Sequence, residues 1–169
     1  VGRNMTVFET EKDILIVDIG VQFSEDDTPG VDFILPNTRY LEDKKEKIRG
    51  VVITHGHLDH IGGIPYILDG LGNPPIFTRH FTALMIKKRQ EEFPGKPTLD
   101  IREIETNDTI QVGDLVLRFF GVTHAIPDSM AVAINTPWGE IVHTGDLRLQ
   151  HVDGTPTADE FEHWKRFDQ

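Results

Sequence analysis

The 169-residue chain contains no cysteine. Disulfides, thiolate nucleophiles and zinc–thiolate sites are excluded together, so any transition metal would have to be held by histidine and carboxylate. Long apolar runs are missing too. Nothing approaches the roughly 20 residues that cross a bilayer, and no basic-then-apolar leader opens the sequence. These absences point to a soluble, cytoplasmic protein. Basic residues are scarce, with 17 Lys and Arg against 28 Asp and Glu and a net charge of −11. A general nucleic-acid coat is disfavoured, because phosphate binding draws on Lys and Arg. A polyanionic substrate is still compatible with this balance where bound divalent cations offset the charge locally. The chain begins at Val1 rather than Met and closes on the charged run "DEFEHWKRFDQ", as a piece of a longer protein would.

With 38% hydrophobic and 27% charged residues, the rest has the proportions of one globular domain. "NMTVFET" and "DILIVDIG" pattern as a β-hairpin, and "PNTRYLEDKKEKI" as a helix capped at Asn37 or Thr38. "RGVVIT" is a short apolar strand, "IGGIPYILDGLG" a helix stopped by glycine, and "PPIFT" another strand. "FTALMIKKRQEEF" reads as an amphipathic helix with Phe81, Leu84, Met85 and Phe93 on its apolar side. Five β-like runs follow, "DIREIE", "DTIQV", "LVLRFFGVTH", "SMAVAINT" and "GEIVHTGD", broken by turn residues as an antiparallel meander. The expected fold is a single α/β domain of packed sheets with helices outside.

The chemistry concentrates in "THGHLDHIGG", residues 54–63, where His55, His57, Asp59 and His60 form H-x-H-x-D-H directly after the apolar strand. In an extended loop, alternate side chains point the same way, so His55 and His57 can reach one ion while Asp59 and His60 turn towards a second. Imidazole and carboxylate suit Zn²⁺ and also Mn²⁺. His124 and Asp146 each end a β-run beside turn residues, and loops leaving one sheet edge can converge to complete such a site. His80, His143, His151 and His163 sit where packing or surface histidines are the common case, and "KKRQ" at 87–90 reads as a solvated helix face. "DGLG" and "PGK" are turns without the spacing of a phosphate-binding loop.

The runs "IVDIG", "THGHLDHIGG", "THAIPDS" and "HTGDLR", in this order, resemble the metallo-β-lactamase superfamily. "GRNMTVFE", "GVDFILPN" and "ITHGHLDHIGGIPYIL" narrow the likeness to the ribonuclease J family of the β-CASP group. The resemblance implies an αββα sandwich, truncated, with residues 1–169 the amino-terminal part of the metallo-β-lactamase domain and the β-CASP domain absent. It implies that His55, His57 and His124 hold one metal, that Asp59 and His60 hold a second, and that Asp146 bridges the two. Asp18, ending "LIVD", matches an aspartate that orients the ligand loop.

The same resemblance implies RNA phosphodiester hydrolysis. Two divalent ions roughly 3.5–4 Å apart would acidify a shared water and stabilise phosphoryl charge, with Asp59 orienting the water and moving its proton. The family usually has Ser where this chain has Ala125. It also takes a further histidine for the second metal from beyond the β-CASP insertion, and that region lies outside these 169 residues. The three-histidine site is therefore expected to fill readily and the Asp59/His60 site weakly. Oligomers would form through regions outside this chain. Two other classes fit the same ligands: a hydrolase of lactams, lactones or thioesters, and an inactive metal-binding fragment.

Overall fold

The computed structural model describes residues 2–24, 29–148, 162 and 165. Strands β1 (Thr6–Glu9), β2 (Ile14–Val17), β3 (Gln22–Phe23), β4 (Phe33–Ile34) and β5 (Ile48–Val52) lead to helices α1 (Leu58–Ile61) and α2 (Ile64–Ile67). Then come β6 (Ile76–Thr78), α3 (His80–Gln90), β7 (Ile101–Glu103), β8 (Thr109–Val112), β9 (Leu115–Gly121), β10 (Met130–Thr136) and β11 (Gly139–His143).

The central strand β2, "ILIV", is buried at every residue because it is covered on both faces, which is what a continuous apolar run in a parallel arrangement requires. It pairs antiparallel with β1 and parallel with β5, and β6 and β7 extend the parallel part in the order β1-β2-β5-β6-β7. "DIREIE" therefore joins the first sheet and not the meander that its β-like neighbours suggest. β8 to β11 are that meander, a second sheet in the order β11-β10-β9-β8. Strand β10 alternates large and small: Met130, Val132 and Ile134 join the core between the sheets, while Ala131 and Ala133 face outward with Phe120.

Between the sheets, Leu15, Val17, Val52 and Phe77 pack on Leu115, Leu117 and Phe119. On the other face of the first sheet, Ile14, Ile16, Val51 and Ile53 meet Ile61, Ile64, Leu68 and Ile86 from the helical segments. A helix–sheet–sheet succession results, and the "DEFEHWKRFDQ" run lies almost entirely outside the described residues. Asp13 ties the two sheets from below. Its buried carboxylate accepts hydrogen bonds from Arg49 Nε on β5 and from the Asp114 N–H in the β8–β9 turn.

Three helical expectations change. "PNTRYLEDKKEKI" is a 3₁₀ helix, Arg39–Lys47, preceded by Asn37 Oδ1 accepting the Arg39 N–H, while Thr38 makes no side-chain cap. "IGGIPYILDGLG" breaks into α1, α2 and a 3₁₀ turn, because the pair Gly62–Gly63 must lie against Val21 and Ile19, too close for side chains. In α3 the buried residues are Thr82, Ala83 and Ile86, whereas Phe81 and Leu84 are exposed. Met85, half-buried, does pack on the core beside Ile86, and the small Thr82 and Ala83 take the places against the sheet expected for Phe81 and Leu84. No helix among the described residues is long and apolar enough to cross a membrane.

Candidate metal centre

The carboxyl ends of β2, β5, β9 and β11 open onto one edge of the sandwich, the usual place for a ligand site in an open α/β sheet. Asp18 follows β2 in a left-handed conformation, φ +63°, which aspartate tolerates better than most residues. Its buried carboxylate accepts the Thr54 N–H at 2.8 Å, the Thr54 hydroxyl at 2.9 Å and His60 Nδ1 at 2.8 Å. The β5 end is thereby locked to the β2 end.

These bonds fix two tautomers. His60 gives its Nδ1 proton to Asp18, so Nε2 carries the lone pair. The Thr54 hydroxyl spends its one hydrogen on Asp18, so at 3.0 Å it accepts the Nδ1 proton of His55 and leaves His55 Nε2 free to ligate. Burial first, and then the neighbouring His60, His124 and His57, push His55 down to about 3, which keeps it neutral at physiological pH.

His57 Nδ1 lies 3.1 Å from His55 Nε2 and 3.1 Å from His124 Nε2. A ring nitrogen has either one proton or one in-plane lone pair, so hydrogen bonding serves one of these contacts and not both. Three nitrogens around one cation at 2.0–2.1 Å with tetrahedral angles would stand about 3.3 Å apart. The observed spacing fits a shared ion. The residues His55, His57 and His124 could hold it.

A second group, His55, His60 and Asp146, also brings its ligand atoms within 4.8 Å of one another. Asp146 faces both positions, with Oδ1 3.4 Å from His60 Nε2 and Oδ2 3.7 Å from His124 Nε2. Asp59 stands apart from that group: its carboxylate lies 3.6 Å from His60 Nε2 and accepts a hydrogen bond from Asn4 Nδ2 at 3.2 Å. Burial opposes a charge on His60, yet Asp18, Asp59 and Asp146 outweigh it and raise its pKa. Carboxylates converging on one imidazole attract a cation, and a proton and a metal ion compete for the same Nε2. Asn4 Nδ2 also reaches that atom, at 3.0 Å.

Close backbone approach keeps the loops in place. A Cβ on Gly20 would fall 1.5 Å from the Asp59 carbonyl oxygen. Gly145, φ +57°, lets the Asp146 turn rest against Thr54, and Arg148 N–H donates to Thr123 O at 2.8 Å, joining the Asp146 and His124 loops.

All seven sequence-predicted residues, His55, His57, Asp59, His60, His124, Asp146 and Asp18, lie at this edge. His143 is structural: it accepts the Gly145 N–H on Nδ1 and so donates from Nε2 to Thr6 Oγ1. His80 pairs with Glu103 on the surface, and Lys87, Lys88 and Arg89 each pair with a glutamate. His151 and His163 lie outside the described residues. Sequence reasoning missed Asn4 and Thr54. Thr54 had one usable signal, its position between the buried strand and the first histidine.

A family model described as the metallo-beta-lactamase superfamily matches residues 1–167. Ribonuclease J of Corynebacterium glutamicum is 42% identical over 160 residues, covering 93% of this chain and 22% of that protein. Ribonuclease J of Thermus thermophilus is 41% identical over 169 residues, covering 96% of this chain and 29% of its own. The chain thus spans about a quarter of the length of these curated relatives. Among solved structures, the Rm3 metallo-beta-lactamase superposes with a TM-score of 0.61 at 15% identity, over 99% of this chain and 68% of its own. Rubredoxin oxygen:oxidoreductase of Desulfovibrio gigas gives 0.54 at 24% identity, over 77% of this chain and 30% of its own. The two-sheet frame, the histidines gathered at its open edge and a family match running from the first residue nearly to the last have one explanation: the chain belongs to the metallo-beta-lactamase superfamily.

Proposed function

We propose that residues 1–169 are the amino-terminal part of the metallo-β-lactamase domain of a cytoplasmic, ribonuclease J-like metalloenzyme that hydrolyses RNA phosphodiesters, with the β-CASP domain outside this chain. Metal use rests on one observation, His57 Nδ1 standing 3.1 Å from two other imidazole nitrogens. The RNA substrate rests on about 40% identity to ribonuclease J along nearly the whole chain.

In this reading His55, His57 and His124 hold the first ion, His60 and Asp59 hold the second, and Asp146 faces both. Zn²⁺ is the expected metal, with Mn²⁺ an alternative that the same hard-to-borderline ligands accept. Bound divalent ions would supply Lewis acidity and the means to ionise water near neutral pH. The chain's own residues supply the rest. Asp59 takes and delivers a proton at its carboxylate, Asp18 and Thr54 keep His60 and His55 in the ligating tautomers, and Asn4 orients Asp59. The first position has its three imidazoles within this chain, whereas the family resemblance assigns the second position a further histidine from outside these 169 residues. The first position therefore binds its ion more tightly.

A fluorescent RNA with a 5′-monophosphate, assayed beside a chromogenic β-lactam with added Zn²⁺ or Mn²⁺, tests the substrate. RNA turnover that His57→Ala abolishes is the expected result. Turnover of the lactam and not the RNA overturns it, and turnover of neither marks the isolated chain as a metal-binding fragment.

A further inference from the structure

The β9–β10 loop, residues 122–129, presents His124 between a backbone anchor at Thr123 and an exposed tip. Ala125 and Pro127 are exposed; Val122 N–H donates to Ser129 O across the base of the loop, Met130 N–H donates to Thr54 O at the end of β5, and Thr123 O accepts the Arg148 N–H. On the far side of His124, Asp128 joins the loop by its side chain to helix α3. Asp128 Oδ2 accepts the Phe81 N–H at 2.9 Å, and Asp128 Oδ1 lies 3.1 Å from Arg79 Nη2.

Helix α3 needs such a partner. Its N-cap position is Arg79, whose side chain cannot accept a backbone N–H, and no cap hydrogen bond comes from within the segment. Asp128 supplies the acceptor from 47 positions along the chain, and its negative charge complements the helix N-terminus. It does so in a left-handed conformation, φ +61°, which costs energy for any residue with a Cβ. A strained residue that bridges two elements and lies four positions from a metal-facing histidine has a consequence for that histidine.

We propose that Asp128 is a positioning residue for the three-histidine site: by capping α3 and pairing with Arg79 it fixes the β9–β10 loop and holds His124 Nε2 against His57 Nδ1. This rests on the metal reading of that site. Asp128 touches neither ion position. It acts through His124, so its loss weakens metal binding without removing a ligand.

The test is Co²⁺ titration of the 169-residue chain, read from visible absorption, with thermal melting of the metal-free protein alongside. Asp128→Asn keeps the cap acceptor and tolerates the left-handed backbone, so it binds Co²⁺ within about threefold of the parent. Asp128→Gly keeps the backbone conformation and loses both side-chain contacts, and Asp128→Ala loses both and is strained. These two bind about tenfold more weakly or worse, in the range seen when a residue orienting a metal ligand is removed. His124→Ala is the reference for a lost ligand. Should Asp128→Gly and Asp128→Ala bind Co²⁺ like the parent while melting earlier, Asp128 is a helix cap only and the proposal fails. Should the parent not bind Co²⁺, or His124→Ala bind as tightly as the parent, the metal reading itself fails.

Discussion

Asp18 grips His60 on its Nδ1 side at 2.8 Å, with both side chains almost wholly shielded from water. This contact sets which nitrogen His60 offers, and the same carboxylate also holds the loop that bears His55. Asp18→Asn keeps the shape and the tolerance of positive φ but loses the charge. It should weaken binding at the His60 position by about ten- to a hundredfold. Asp18→Ala, which strands the Thr54 amide and hydroxyl, should also lower stability by about 3 kcal/mol. Paired metal titration and urea unfolding separate the two effects.

Thr54 relays that control to the first ion. Its hydroxyl donates to Asp18 and accepts from His55, so Thr54→Val leaves the buried His55 Nδ1 proton without a partner and removes one hydrogen bond from the Asp18 carboxylate, which keeps the Thr54 N–H and His60. A loss of about 1–3 kcal/mol is expected, together with weaker Co²⁺ binding at the three histidines. Thr54→Ser, which restores the hydroxyl, should recover the metal affinity. Equal affinity in all three proteins would show that the relay has no role.

Gly20 is confined by the Asp59 carbonyl oxygen, 1.5 Å from where a Cβ would stand. Gly20→Ala must push the Asp59–His60 turn away and should cost about 3 kcal/mol, at the upper end of overpacking. Gly70 meets nothing within 4 Å, so Gly70→Ala should change stability by no more than about 0.5 kcal/mol. Denaturant midpoints measure both.

The Asp13–Arg49 pair gives stability a pH dependence unrelated to metal. Arg49's hydrogen bond, opposed by burial and aided by the Asp114 N–H, holds the Asp13 carboxyl below the ordinary carboxylate range. A depressed folded-state pKa contributes stability that is complete above the unfolded value of about 3.9 and is lost as pH falls through the folded one. Unfolding free energy should therefore fall more steeply below about pH 4 in the parent than in Asp13→Asn, which should already be about 1–3 kcal/mol less stable at pH 7. Parallel curves would remove Asp13 from the acid response.

Much of the site was legible because ligand chemistry is written locally: His55, His57, Asp59 and His60 are adjacent, and they follow a strand whose burial "RGVVIT" announces. His124 and Asp146 could be placed because each ends a β-run, although their meeting depends on β9 and β11 pointing the same way on either side of β10. Asn4 and Asp128 were not legible. Their roles depend on partners 55 and 47 positions away, and nothing in "GRNM" or "IPDS" names those partners. On α3 only Phe81 and Leu84 depart from the expected face, because Thr82 and Ala83 pack by being small, a property that a hydrophobicity pattern does not score.

The most direct measurement is metal content after equilibration of the chain with buffered, limiting Zn²⁺. One tightly held ion per chain is predicted, lost in His55→Ala, His57→Ala and His124→Ala and kept in Asp59→Asn. Two equally tight ions per chain, or one that survives the loss of His57, would contradict the account.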